Sequence, residues 1–204
     1  MLEASDLHCR RGTRTLYSGL SFALGAGELL RVAGENGSGK TTLLKILCGL
    51  LDPDAGEVRW RGEPIRRLRE EFHRQLVFLG HAPAVKDELT AAENLAIACT
   101  LAGRPASMQD VREALARYGL REDSAPVRRL SQGQRRRAAL ARLMLSADAP
   151  LWLLDEPFAA LDAAAARLTE ELIARHVAVG GAVAYTTHQE ANIDAASQRV
   201  LELA

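Results

Sequence analysis

The nine residues Gly34–Thr42, GENGSGKTT, carry the densest chemistry in the chain. They fit G-x-x-x-x-G-K-[ST], with Gly34, Gly39, Lys40 and Thr41 in the defining places. Glycine takes the positive φ that turns successive backbone N–H groups inward around an anion. Glu35, Asn36, Gly37 and Ser38 then line a phosphate cradle. Lys40 reaches the β- and γ-phosphates, Thr41 offers its hydroxyl to Mg²⁺, and Thr42 continues into the helix. A second pair, Asp155-Glu156, ends the apolar run LWLL at Leu151–Leu154. Asp155 is expected to orient Mg²⁺ through water, because Mg²⁺ keeps much of its hydration. Glu156 is the candidate for positioning and deprotonating an attacking water. A third stretch, LSQGQ at Leu130–Gln134, opens a helix and gives a second anion-binding N-terminus. Taken singly, a plain turn competes with the carboxylate pair, and an ordinary capped helix start competes with LSQGQ.

These groups need elements to hold them. Leu29–Ala33 (LLRVA) reads as a buried strand before the phosphate loop, and Lys40–Leu50 as the helix after it. Leu2–Arg10 and Thr15–Leu24 read as two strands joined at Arg11–Gly12, with further strands at Glu57–Arg61, Leu76–Gly80, Ala182–Thr187 and Gln198–Leu203. Continuous apolarity in Leu151–Leu154 predicts burial on both faces, as in a central parallel strand. From Pro83 to about Pro126 the pattern turns helical. Thr90 and Glu93 form a capping box before Ala91–Leu101, Ser107 with Asp110 starts a second helix, and Gly119 stops it. Ser131 opens a third helix towards Ser146, and a long one runs from Ala163 to Val179. The fold class is α/β, in one domain: 1–82 and 149–204 form the core, and about 83–148 form a mostly helical insert.

Composition excludes several functions. Lys plus Arg and Asp plus Glu are 26 each, so no net charge argues for nucleic acid or anionic lipid. The clusters Arg66, Arg67 and Arg69, Arg128 and Arg129, and Arg135–Arg137 read as solvated helix faces. Cys9, Cys48 and Cys99 are too scattered for a metal site or disulfide set, and read as buried, reduced thiols. The N-terminus lacks a signal-peptide core and no run is long enough to span a bilayer, so the expectation is a chain that neither crosses a membrane nor is exported.

Phosphate loop, LSxGQ and hydrophobic-DE, in this order, resemble the ATP-binding-cassette (ABC) ATPases. Ala160-Leu161-Asp162 resembles the family's D-loop, and His188 after Thr186-Thr187 its γ-phosphate-contacting switch histidine. The resemblance spans essentially the whole chain. It implies a P-loop NTPase with a RecA-like mixed or parallel sheet core, an N-terminal antiparallel β part and a helical subdomain. It also implies ATP and Mg²⁺, with Thr41 and Asp155 at the metal and Glu156 and His188 catalytic. The family assembles as a head-to-tail homodimer, so Ser131, Gly133, Gln134 and Asp162 of one copy would complete the ATP site at Lys40 of another.

Two positions depart from the family. Where it places an adenine-stacking aromatic, this chain has Arg10 and Arg11; a guanidinium can stack on a base, and simple solvation of both is the competing reading. Where it has a Mg²⁺-touching glutamine, this chain has His81, and an imidazole suits hard Mg²⁺ less well than an amide oxygen. Metal contact by His81 therefore competes with a relay or water-mediated role.

The stretches LGHAPAVKDELTAAENL, LDEPFAALD and TTHQ are similar to the ATP-binding subunits of bacterial cytochrome c maturation. That similarity implies haem handling at the cytoplasmic face of the inner membrane, with integral subunits of the CcmB, CcmC and CcmD kind and no nucleic acid. The alternatives are an ABC subunit for another substrate and a P-loop small-molecule kinase.

Overall fold

The computed structural model describes residues 1–120, 125–189 and 191–203. Strands β1 (Leu2–Arg11) and β2 (Arg14–Leu24) form a hairpin, followed by β3 (Leu29–Gly34) and helix α1 (Lys40–Leu47). Next come β4 (Ala55–Trp60), β5 (Glu63–Pro64), α2 (Ile65–Leu68), α3 (Glu70–Arg74) and β6 (Leu76–Leu79). The helical stretch holds α4 (Ala91–Leu101), α5 (Met108–Arg117) and α6 (Gln132–Leu140); positions 121–124 within it lie outside the described residues. The chain closes with β7 (Leu151–Asp155), α7 (Ala163–Ala178), β8 (Ala182–Thr186) and β9 (Gln198–Leu203).

Two sheets result. An antiparallel one runs β2-β1-β4-β5, and a parallel one runs β6-β7-β8-β3-β9. Every residue of β7 and β8 is buried, as continuous apolarity requires of strands covered on both faces. Leu151, Leu153, Ala182 and Ala184 pack with Leu43 and Leu44 of α1 and with the antiparallel sheet. Their neighbours Trp152, Leu154, Val183 and Tyr185 pack with Leu172 and Ile173 of α7 and with the helical stretch. The period-two alternation of a strand thus divides the core into two layers.

All three predicted helix starts in the helical stretch, at Thr90, Ser107 and Ser131, are present. Thr90 and Glu93 cap each other reciprocally, and the Ser107 hydroxyl accepts from Asp110 N–H at 3.1 Å. Two predicted ends move. Helix α1 stops at Leu47, short of Leu50, because Gly49 N–H bonds Ile46 O and Leu50 N–H bonds Lys45 O, a Schellman closure. The helix opened by Ser131 gives way after Leu140 to a 3₁₀ turn at Ala141–Leu145, against which α4 and α5 pack. The three cysteines are buried and free. No helix among the described residues is long and apolar enough to cross a membrane.

His176 proves to be a core residue. Its ring stacks on Trp152 at 3.8 Å, neither ring nitrogen has a hydrogen-bond partner among the described residues, and burial pushes its pKa down to about 4. Folding therefore holds the neutral imidazole, whereas the unfolded chain protonates near pH 6.5. Between these two values the unfolded state binds the extra proton, so stability falls as pH drops from about 6.5 to about 4. Urea unfolding of the parent and of His176→Leu across this window should show that slope in the parent and lose up to one proton of it in the variant.

Candidate nucleotide site

The parallel sheet delivers four chain segments to its carboxyl edge: the phosphate loop after β3, Asp155-Glu156 at the end of β7, Thr186–His188 at the end of β8 and His81 after β6. This edge is where α/β sheets of this kind bind ligands. Strand β8 lies between β3 and β7, and Thr186 is in register with Val32 on one side and Asp155 on the other.

The loop is shaped by what it touches. Gly34 has φ 139°, and a Cβ there would lie 2.4 Å from Leu203 O, so only glycine fits between β3 and β9. Lys40 is largely buried, and its ammonium donates to Gly34 O at 2.8 Å and Glu35 O at 2.9 Å, pinning the loop across its mouth. Thr41 Oγ1 donates to Asp155 Oδ2 at 2.8 Å, and Thr186 Oγ1 donates to Asp155 Oδ1 at 2.7 Å. Asp155 is therefore fixed through both oxygens, one of them on the hydroxyl that the motif assigns to a metal.

Glu156 sits in the left-handed region at φ 52°, a conformation that costs a non-glycine residue about 1–3 kcal/mol. Its N–H donates to Thr186 Oγ1 at 2.9 Å, and its carboxylate accepts the His188 N–H at 3.3 Å. The His188 ring Nε2 stands 3.5 Å from Glu156 Oε1. Asn36, Gly37, Gly39, Lys40, Thr41, Thr42, Arg11, His81, Glu156 and His188 line one cleft of about 420 Å³. A second hollow of about 390 Å³ continues from it and shares Arg11, Leu16 and Thr42. The phosphate loop, Asp155, Glu156, His188, His81 and Arg11 are thus brought together.

The LSQGQ residues are not. Ser131, Gly133, Gln134 and Asp162 line no part of that cleft. Ser131 and Gln134 form a reciprocal capping box at the start of α6. Gly133 lies so close to Ala160 that a Cβ would meet its carbonyl oxygen at 2.6 Å. Asp162 caps α7 through Ala165 N–H at 2.8 Å and pairs with Arg137 at 3.3 Å.

Two residues of this edge had no warning in the motifs. Thr186 bridges Asp155 and Glu156, and only the strand order reveals it. Arg136 overturns the solvated-face reading of Arg135–Arg137, since it is only 4% exposed. Its terminal nitrogens donate to the backbone oxygens of Gly80, His81, Asp155 and Glu156 at 2.7, 3.3, 2.6 and 2.7 Å. Burial pulls its pKa below the ordinary arginine value, and the Asp155 and Glu156 carboxylates oppose that shift. Arg135 and Arg137 are held as well, by Asp87 at 3.1 Å and by Asp162. The Arg66–Arg69 and Arg128–Arg129 clusters are exposed, as expected.

The ABC transporter family model matches residues 17–159, and the chain belongs to that family: it is an ATP-binding, ATP-hydrolysing subunit. Its sequence is homologous to the CcmA proteins. It is 54% identical to the cytochrome c biogenesis ATP-binding export protein CcmA of Aromatoleum aromaticum, over 94% of this chain and 90% of that one. It is 50% identical to the CcmA of Dechloromonas aromatica over the full length of both. Among solved structures it is similar to a dimeric ATP-binding cassette in a post-hydrolysis state bound to ADP and Pi. The TM-score is 0.80 and the identity 25%, covering 93% of this chain and 88% of that one.

Proposed function

We propose that this chain is the ATPase of a haem-handling complex of c-type cytochrome maturation, and that it works as a head-to-tail homodimer. The observation that carries the dimer is the incompleteness of the cleft: it gathers every catalytic group except the LSQGQ residues, which stand elsewhere on the same chain. A second copy would bring its Ser131, Gly133, Gln134 and Asp162 against ATP lying on the first copy's Lys40. ATP would then bridge the two chains, and its hydrolysis would remove the link. The resemblance to CcmA carries the haem reading and the assignment to the cytoplasmic face of the inner membrane, with integral subunits of the CcmB, CcmC and CcmD kind. We take residues 1–204 as one ABC ATPase domain with a mostly helical subdomain at about 83–148, whose residues 83–130 face those subunits by analogy with the family.

Within the cleft the backbone N–H groups of residues 35–42 and the Lys40 ammonium bind the phosphates. Arg11, on the wall shared by the two hollows, lies over the base. Glu156 accepts a proton from water as that water attacks the γ-phosphorus, ADP leaves with the electron pair of the broken P–O bond, and His188 steadies the γ-phosphate. Thr41 and Asp155, two hard oxygen donors already in contact, suit Mg²⁺, and no group of three or more His, Cys, Asp or Glu among the described residues is placed to hold a metal instead. Such a metal would neutralise developing charge on the phosphates. His81 lines the cleft and its backbone oxygen accepts from Arg136, which fits a relay role better than a metal ligand.

Affinity capture of the tagged chain from native membranes, with identification of its integral partners, tests the assignment. Haem-handling subunits should co-purify, and a permease for sugars or peptides in their place would overturn it.

A further inference from the structure

Among the described residues, Arg136 is the one buried cation of the site that phosphate binding does not need. Burying a guanidinium without a carboxylate in hydrogen-bond contact is costly, and an apolar side chain of similar volume would often serve a fold as well. The positions of its four acceptors give the reason for keeping it. Strands β6 and β7 pair in register through Leu79 and Leu154, the last rung of their ladder. The ladder stops there; beyond it the Asp155 carboxylate bonds Thr41 and Thr186, and His81 lines the cleft. Gly80 and Asp155, then His81 and Glu156, are the residues that the next two rungs would have joined. Arg136 bonds all four, two through each terminal nitrogen, and closes the fork from the side of α6.

We infer that Arg136 is a positioning residue for hydrolysis: it fixes the backbone of Glu156 in its left-handed conformation and sets it relative to His81. The inference rests on Glu156 acting as the base. Glu156 is held on both sides, its N–H by Thr186 and its carbonyl by Arg136. Releasing the carbonyl lets the residue relax out of φ 52°, which swings the carboxylate away from the water it must deprotonate. A displacement of about 1 Å is enough to cost on the order of 10²-fold in rate. Because Ser131 caps α6, the helix that would lean on a second copy's ATP is also the one that holds this chain's own base.

The test compares Arg136→Lys, Arg136→Gln and Glu156→Gln with the parent, using the full chain in the complex with which it purifies. ATP hydrolysis, ADP affinity and thermal melting are measured for each. Lysine keeps the charge but cannot fork to both strand ends; glutamine loses both properties. We expect kcat to fall about 10- to 100-fold in Arg136→Lys and further in Arg136→Gln, with KM and ADP affinity within about threefold of the parent and cooperative melting retained. The inference is overturned if folded Arg136→Lys and Arg136→Gln keep the parent kcat. It is equally overturned if the loss lies in KM or ADP affinity, or if neither variant melts cooperatively, since Arg136 would then serve binding or folding alone. Turnover surviving in Glu156→Gln would instead sink the base assignment, whatever the Arg136 variants do.

Discussion

Glu156→Gln is expected to lower kcat by about 10²–10⁴-fold, the range that a positioned general base supplies, while ATP binds with nearly its original affinity. The substitution spares everything that places the residue. Its N–H still donates to Thr186 Oγ1 and its carbonyl still accepts from Arg136. The amide oxygen can accept the His188 N–H as the carboxylate does. Only the capacity to take a proton from water is lost. In the proposed head-to-tail homodimer, ATP bound and not consumed would keep the two copies linked, so a dimer should accumulate with ATP and not with ADP. Single-turnover hydrolysis and size-exclusion chromatography with light scattering read the two effects. Normal turnover would remove Glu156 as the base; loss of turnover without an ATP-dependent dimer would count against the head-to-tail assembly.

Lys40→Ala is expected to weaken ATP binding by about 10²-fold or more. The ammonium occupies the mouth of the loop, held by Gly34 O and Glu35 O. Arriving phosphate oxygens exchange these neutral acceptors for charged ones. Hydrogen bonds to charged groups are worth about 1.5–3 kcal/mol each, and about 1.4 kcal/mol is a factor of ten in Kd, so two such bonds account for the loss. The fold should survive, because the freed carbonyls belong to half-buried Gly34 and exposed Glu35, within reach of water. Calorimetric titration with ATP, alongside a thermal melt, measures both. Unchanged affinity would sink the phosphate-loop assignment.

Local chemistry was legible wherever a short stretch of chain specifies its own geometry. Thr90 with Glu93 and Ser107 with Asp110 announce their helices because the caps bond within three residues. The phosphate loop is equally local, a row of backbone donors followed by a lysine that folds back on residues five and six positions earlier. Harder to read were features whose cause lies far along the chain. Nothing in residues 140–146 marks the change to a 3₁₀ turn, since its packing partners are α4 and α5. The short strand β5 and helices α2 and α3 leave too little periodicity to register.

Order and local chemistry of the motifs were therefore determined by the sequence alone: a phosphate loop, a DE pair after a doubly buried strand, a histidine after another, and LSQGQ on a helix start. Their spatial relation was decided only by the tertiary structure. Asp155 meets Thr41 across 114 residues, and Thr186 is drawn against Asp155 and Glu156 because β8 pairs with β7. Arg136, indistinguishable in sequence from two neighbouring arginines, is singled out by the side of α6 that faces the fork between β6 and β7. Strand order and helix facing depend on which long-range packing buries the most apolar surface, and no local run of residues encodes that sum.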